Sequence, residues 1–194
     1  MANFEDLSDQ ELITRARNGS THHFGELVNR HTTVVYRLAR SITGAHEEAE
    51  DVVQESFLRA FSNLDKFDES KSTFKTWLLT IARNQSINIV SSFRRKALKF
   101  FSDRNDDEPD FDFSSNPLAQ ELPDMETQLS VKQQFQAMER ILKKLPERQR
   151  TALLLRSQEG LSYDEISAVM NVSVSSVESL IFRGRKKIIE LIEK

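Results

Sequence analysis

Residues 162–192 read SYDEISAVMNVSVSSVESLIFRGRKKIIELI, and the spacing inside this stretch decides the fold. With Tyr163 as the first position, apolar residues fall at Ile166, Met170, Val172, Val177 and Leu180, where two helices crossing steeply share a core. Asn171 stands at the turn between them, a place that commonly needs a left-handed backbone, which Asn tolerates better than most residues after Gly. Ser162 and Ser173 are placed to cap the two helices. The pattern predicts a helix-turn-helix, and a plain helical hairpin without a DNA role satisfies the same spacing. The second helix, about residues 174–187, presents Ser175, Ser176, Glu178 and Ser179 on its early exposed turns, the part that reaches base edges in a major groove. Its basic end, Arg183, Arg185, Lys186 and Lys187, suits phosphates and equally complements a helix dipole.

Upstream, a helix is expected through Leu129, Phe135, Met138 and Leu142, broken by Pro146. A second runs over residues 147–158 to Gly160, which can end it in a left-handed cap. Before these lies SDRNDDEPDFDFSSNPLAQELPDMETQ, with three of the four prolines and no sustained apolar period. It reads as a flexible linker. Residues 101–128 hold one basic residue against nine acidic, a net −8, whereas residues 1–100 carry +1 and residues 129–194 carry +4. The expected organisation is two helical domains, 1–100 and 129–194, joined by an acidic linker over 101–128.

In the first domain the apolar positions Phe24, Leu27, Val28, Val34, Val35, Leu38, Ala39 and Ile42, with His31 among them, fall at steps of three and four, and Gly44 ends the stripe. A second stripe uses Ala49, Val52, Val53, Phe57, Ala60, Phe61 and Leu64, with carboxylates gathered in its first turns. A third uses Phe74, Trp77, Leu78, Ile81 and Ala82 and runs into a basic tail, while a shorter helix occupies residues 9–17. Phe74 and Trp77, on the stripe, are assigned to the core. The fold class is therefore all-α.

Several chemistries are excluded. The 194 residues contain no cysteine, so no disulfide, thiolate metal site or cysteine nucleophile is possible. Charged residues make up 29% of the chain, and no apolar run approaches the roughly 18–20 residues that span a bilayer, so no membrane insertion is expected. The acidic start MANFEDLSDQEL has no apolar signal region, and a cytoplasmic location is expected. His22, His23, His31 and His46 include no i, i+4 pair, and there is no glycine-rich phosphate loop. Glu47, Glu48, Glu50 and Asp51 point in different directions on a helix and cannot converge on a metal. No catalytic residues, no cofactor and no metal are expected; the chain does not read as an enzyme.

EEAEDVVQESFLRAF, followed by STFKTWLLTIARNQSINIV and a basic tail, resembles the N-terminal domain of the bacterial extracytoplasmic-function (ECF) sigma factors of RNA polymerase. LPERQRTALLLRSQEGLSYDEISAVMNVSVSSVESLIFRGRKKI is similar to their C-terminal domain. The resemblance implies a sigma domain 2-like helical bundle and a sigma domain 4-like helix-turn-helix. By it, Asp51, Gln54 and Glu55 dock on the clamp helices of the largest subunit of core RNA polymerase. Phe67, Ser70, Lys71, Ser72 and Thr73 form the loop that reads and melts the promoter −10 region, Asn84 helps line a pocket for a flipped base, and Arg83, Arg94, Arg95 and Lys96, with Lys99, follow phosphates. Ser175, Ser176, Glu178, Ser179, Arg183, Arg185 and Lys186 face the −35 element. Glu178 and Leu180 depart from the family pattern, which commonly has basic residues there. Members are often held by an anti-sigma factor, which is a further expected partner.

Net charge supports division of labour. A chain of net charge −3 with a C-terminal domain of only +4 is a weak solitary DNA binder, because non-specific grip rests on counterion release by many cations. The alternative is an autonomous helix-turn-helix regulator acting without polymerase, which leaves EDVVQESF and the acidic linker without a role. For the linker itself, a passive tether and an occupant of a basic polymerase channel both remain open.

Overall fold

The structure, a computed structural model, describes residues 6–101 and 140–193, with side chains given for all of these except 93–101. Every regular element among the described residues is helical. The expected linker and the start of the next helix, including Leu129, Phe135 and Met138, lie outside them; Leu142 sits in a helical turn over 140–143.

Helix α1, Asp9–Arg17, starts at a reciprocal cap: the Ser8 hydroxyl accepts from the Glu11 amide at 3.3 Å and the Glu11 carboxylate accepts from the Ser8 amide at 2.8 Å. Helix α2, Thr21–Thr43, carries the long stripe and ends at Gly44, whose φ of 83° is the left-handed conformation that glycine adopts without a Cβ clash. His31 is buried in that stripe, and its Nε2 meets Asp9 Oδ2 at 2.7 Å, tying α2 to α1. That hydrogen bond is the main cause holding the Asp9 carboxyl below the ordinary carboxylate range.

Helix α3, His46–Ser62, buries Ala49, Val52, Phe57 and Ala60. The stripe read from the sequence is narrower in the fold: Phe61 is exposed and Val53 half-buried. A 3-10 turn over Leu64–Lys66 leads to the loop before α4, Phe74–Phe101, which buries Phe74, Leu78, Leu79 and Ala82. Helices α2, α3 and α4 pack on one another around this core, with α1 against α2.

The second unit comprises α5 (Glu147–Ser157), α6 (Tyr163–Met170) and α7 (Val174–Ile192). Helices of 8 and 11 residues are marginal alone, so their stability comes from burying Ala152, Leu155, Ile166, Met170, Val177 and Ile181 together. Gly160 has φ 68° and Asn171 φ 50°, both left-handed as expected. Ser162 and Ser173 both accept capping bonds, from the amides of Glu165 and Ser176. The chain turns by 98° between α6 and α7, within the helix-turn-helix range. Helix α7 passes under α5 at Gly184, where a Cβ would lie 2.7 Å from Leu153 Cδ1. The two units touch, α2 against α5 and α4 against α6. No single described helix is long and apolar enough to cross a membrane.

Candidate nucleic-acid interface

Three surfaces carry the residues singled out in the sequence. The first lies on α3. Asp51 and Gln54 are exposed and Glu55 is half-buried, with Glu55 Oε1 accepting from Arg59 Nε at 2.5 Å. Gln54 lies on an apolar depression of about 460 Å³ whose walls include Phe24, Val28, Phe57, Leu58 and Phe61. Leu58 is 63% and Phe61 45% exposed. An apolar centre with the Gln54 amide at its edge, and the carboxylates of Asp51 and Glu55 within a turn of Gln54 on the same helix, has the composition of a protein-binding surface. Leu58 lies outside the stripe read from the sequence, because periodicity identifies the side of a helix that faces its own core and not a second apolar side turned outward.

The second surface is the loop before α4. Asp68 organises it: its Oδ1 accepts from the Ser70 amide at 3.0 Å and the Ser70 hydroxyl at 2.6 Å, and its Oδ2 lies 3.0 Å from Lys71 Nζ. The Ser70 hydroxyl and then Lys71 hold the Asp68 carboxyl down at about 2. Thr73 caps α4, its Oγ1 accepting from the Thr76 amide at 3.1 Å. Ser70, Lys71 and Thr73 are exposed and Ser72 half-buried, so the loop offers hydroxyls and an ammonium on a turn built from its own side chains. Asn84 is exposed about three turns further along the same helix.

Two expected members of this surface are placed elsewhere. Phe67 is 5% exposed, its ring 5.0 Å from that of Trp77 and 5.8 Å from that of Phe74. It belongs to the core beneath the loop, where closing an aromatic cluster removes its whole ring from water. Phe74 is buried as expected, and Trp77 is half-buried in that cluster. Arg83 is 8% exposed, with Glu147 and Arg148 of the second unit as its nearby charges. Desolvation pushes its pKa down and Glu147 opposes the fall, so Arg83 is turned away from open solvent toward the second unit. Arg94, Arg95 and Lys96 lie on the backbone of α4, and their side chains, with that of Lys99, are outside the described ones.

The third surface is α7. Ser175, Glu178, Ser179, Arg183, Arg185 and Lys186 are all exposed and Ser176 is half-buried. Leu180 is half-buried against the core, as the helix-turn-helix spacing requires. Arg183 Nε donates to the Ser179 carbonyl at 3.2 Å, and Lys187 pairs with Glu190 at 3.5 Å. Arg148, which the sequence reading did not select, comes from α5 to line a depression with Ser175, Ser176, Ser179 and Arg183. Only tertiary packing brings it there. This face offers hydroxyls and guanidinium groups to a polyanion.

Comparison with known proteins agrees with both units. The family model for Sigma-70 region 2 matches residues 27–98, and that for Sigma-70, region 4 matches residues 135–188. The chain is 35% identical over 184 residues to ECF RNA polymerase sigma-E factors of Salmonella typhimurium and Escherichia coli, covering 95% of this chain and 94% of each relative. Among solved structures it is similar to CnrH in complex with the cytosolic domain of CnrY, with a TM-score of 0.65 and 25% identity over 95% of this chain and 97% of that one. Near-complete coverage at this identity, with both region models matched in order, means that this chain belongs to the ECF sigma factors of RNA polymerase.

Proposed function

We propose that the chain is the promoter-specificity subunit of a bacterial RNA polymerase: it binds the core enzyme, recognises the −10 and −35 elements with separate helical domains, and holds the melted strand without a cofactor. The observation that carries this reading is the α3 surface, where Asp51, Gln54 and Glu55 stand beside the exposed apolar pair Leu58 and Phe61. An autonomous regulator would need a self-complementary apolar face to dimerise, and the carboxylates beside this one repel a second copy of themselves and suit a basic partner instead. We assign it to the clamp helices of the largest polymerase subunit.

The loop Ser70–Lys71–Ser72–Thr73 and Asn84 take the −10 element in this reading, because captured unpaired bases are held by stacking and by hydrogen bonds to their exposed edges. The exposed residues of α7 take the −35 element. Strand opening draws on the binding free energy of the captured single strand. An anti-sigma factor is the further partner, a reading supported by CnrH having been solved with a bound protein domain.

The test is run-off transcription with core polymerase over fragments of the source genome, with and without the chain. Defined transcripts are expected only with it. The double variant Asp51→Ala with Gln54→Ala is expected to weaken capture of core polymerase about tenfold or more while leaving the helical circular dichroism unchanged. A strong promoter-DNA shift without polymerase, together with no capture of the core enzyme, overturns the reading in favour of an autonomous regulator.

A further inference from the structure

The early turns of α7 lack cations of their own: residues 174–180 hold three serines and Glu178. The fold supplies one from elsewhere. Arg148, exposed on the first turn of α5, meets Ser175, Ser176, Ser179 and Arg183 around a depression of about 280 Å³, and Glu178 does not line it. Two guanidinium groups and three hydroxyls with no carboxylate form a site for an oxyanion, since guanidinium groups recognise phosphate through paired N–H donors. We infer that this depression seats a backbone phosphate of the −35 duplex, with Arg148 supplying the charge that the early turns of α7 do not carry. The inference rests on the proposed role of α7 and adds a contact for grip and register rather than base choice.

The experiment measures holoenzyme binding to −35 promoter fragments by fluorescence anisotropy across a salt series. Arg148→Ala is expected to lower affinity about fivefold or more on every −35 sequence tried and to make the salt slope shallower by about 0.9, the value for one phosphate contact. Arg148→Lys is expected to recover most of the slope. Unchanged affinity and slope in Arg148→Ala overturns the inference, and so does a loss confined to one base substitution, which would mark a base reader. Failure of the wild-type holoenzyme to bind any promoter would instead overturn the proposed function.

The contacts between the two units are a separate observation. The Glu159 side chain is 5% exposed, and its carboxylate lies 3.3 Å from Lys75 Nζ and 3.4 Å from Arg37 Nε. Lys75 Nζ also donates to the Glu159 carbonyl at 2.9 Å, and Thr76 Oγ1 donates to Glu165 Oε1 at 3.1 Å. Arg150 donates from Nε and Nη2 to the Ser41 carbonyl in the last turn of α2, at 2.9 and 2.5 Å. The start of α4, which follows the −10 loop, thus touches α6 of the helix-turn-helix.

Discussion

Asp68 shows how one carboxylate shapes a recognition loop. Its ordinary value of 3.8 falls to about 2 in the folded chain, so the charged form is the one the fold favours. The contribution of that charge is complete above the unfolded value and is lost as pH falls through about 2. Carboxyl NMR is expected to report a midpoint near pH 2 for Asp68, with the Ser70 amide shift following it, whereas a midpoint near 3.8 would mean that the turn is not formed in solution. Asn84 belongs to the same scale. Asn84→Ala is expected to reduce permanganate-reactive promoter thymines about tenfold, the order of one lost base contact, while closed-complex affinity changes less than twofold. Asp51 and Gln54 of α3 and Ser175 and Ser179 of α7 were legible as exposed groups from their place opposite the apolar stripes, while Glu55 and Ser176 are half-buried. Phe67 was not, because an aromatic residue in a polar loop gives no sign of which way its ring turns until Phe74 and Trp77 are in place.

Among the elements, helix boundaries governed by local chemistry were readable in advance. The α6–α7 turn illustrates why: Ser162, Asn171 and Ser173 each act within four residues of their own position, through caps and one left-handed backbone. Asn171→Val is expected to destabilise the chain by about 1–2 kcal/mol in urea unfolding, the cost of a β-branched residue in the left-handed region, while Asn171→Gly is expected to be near neutral. Equal stability of Asn171→Val and wild type would show that the turn does not need this backbone. The far end of α7 was less readable. It continues past the basic run to Ile192, because half-buried Ile188 and Leu191 extend its packing face beyond the charges that suggested a stop.

Across the whole molecule, charge and chain length set the division of labour. A net charge of −3 and few exposed cations on the α5–α7 face leave little electrostatic grip. With about four phosphate contacts, through Arg148, Arg183, Arg185 and Lys186, the α5–α7 face is expected to contribute no more than about −4 to the log–log salt slope of binding to −35 duplex. The check is the change in slope when Arg148, Arg183, Arg185 and Lys186 are replaced together by Ala, and a change larger than about 4 would contradict this count. The sequence by itself determined the helical class, the two units, the helix-turn-helix and its caps, because period and capping are properties of neighbours along the chain. Only the tertiary structure decided that Phe67 and Arg83 turn inward, that Arg148 joins the α7 face, and that Glu159 meets Lys75 and Arg37. Each of these depends on side chains far apart in sequence competing for one place in space, and no local pattern encodes that outcome.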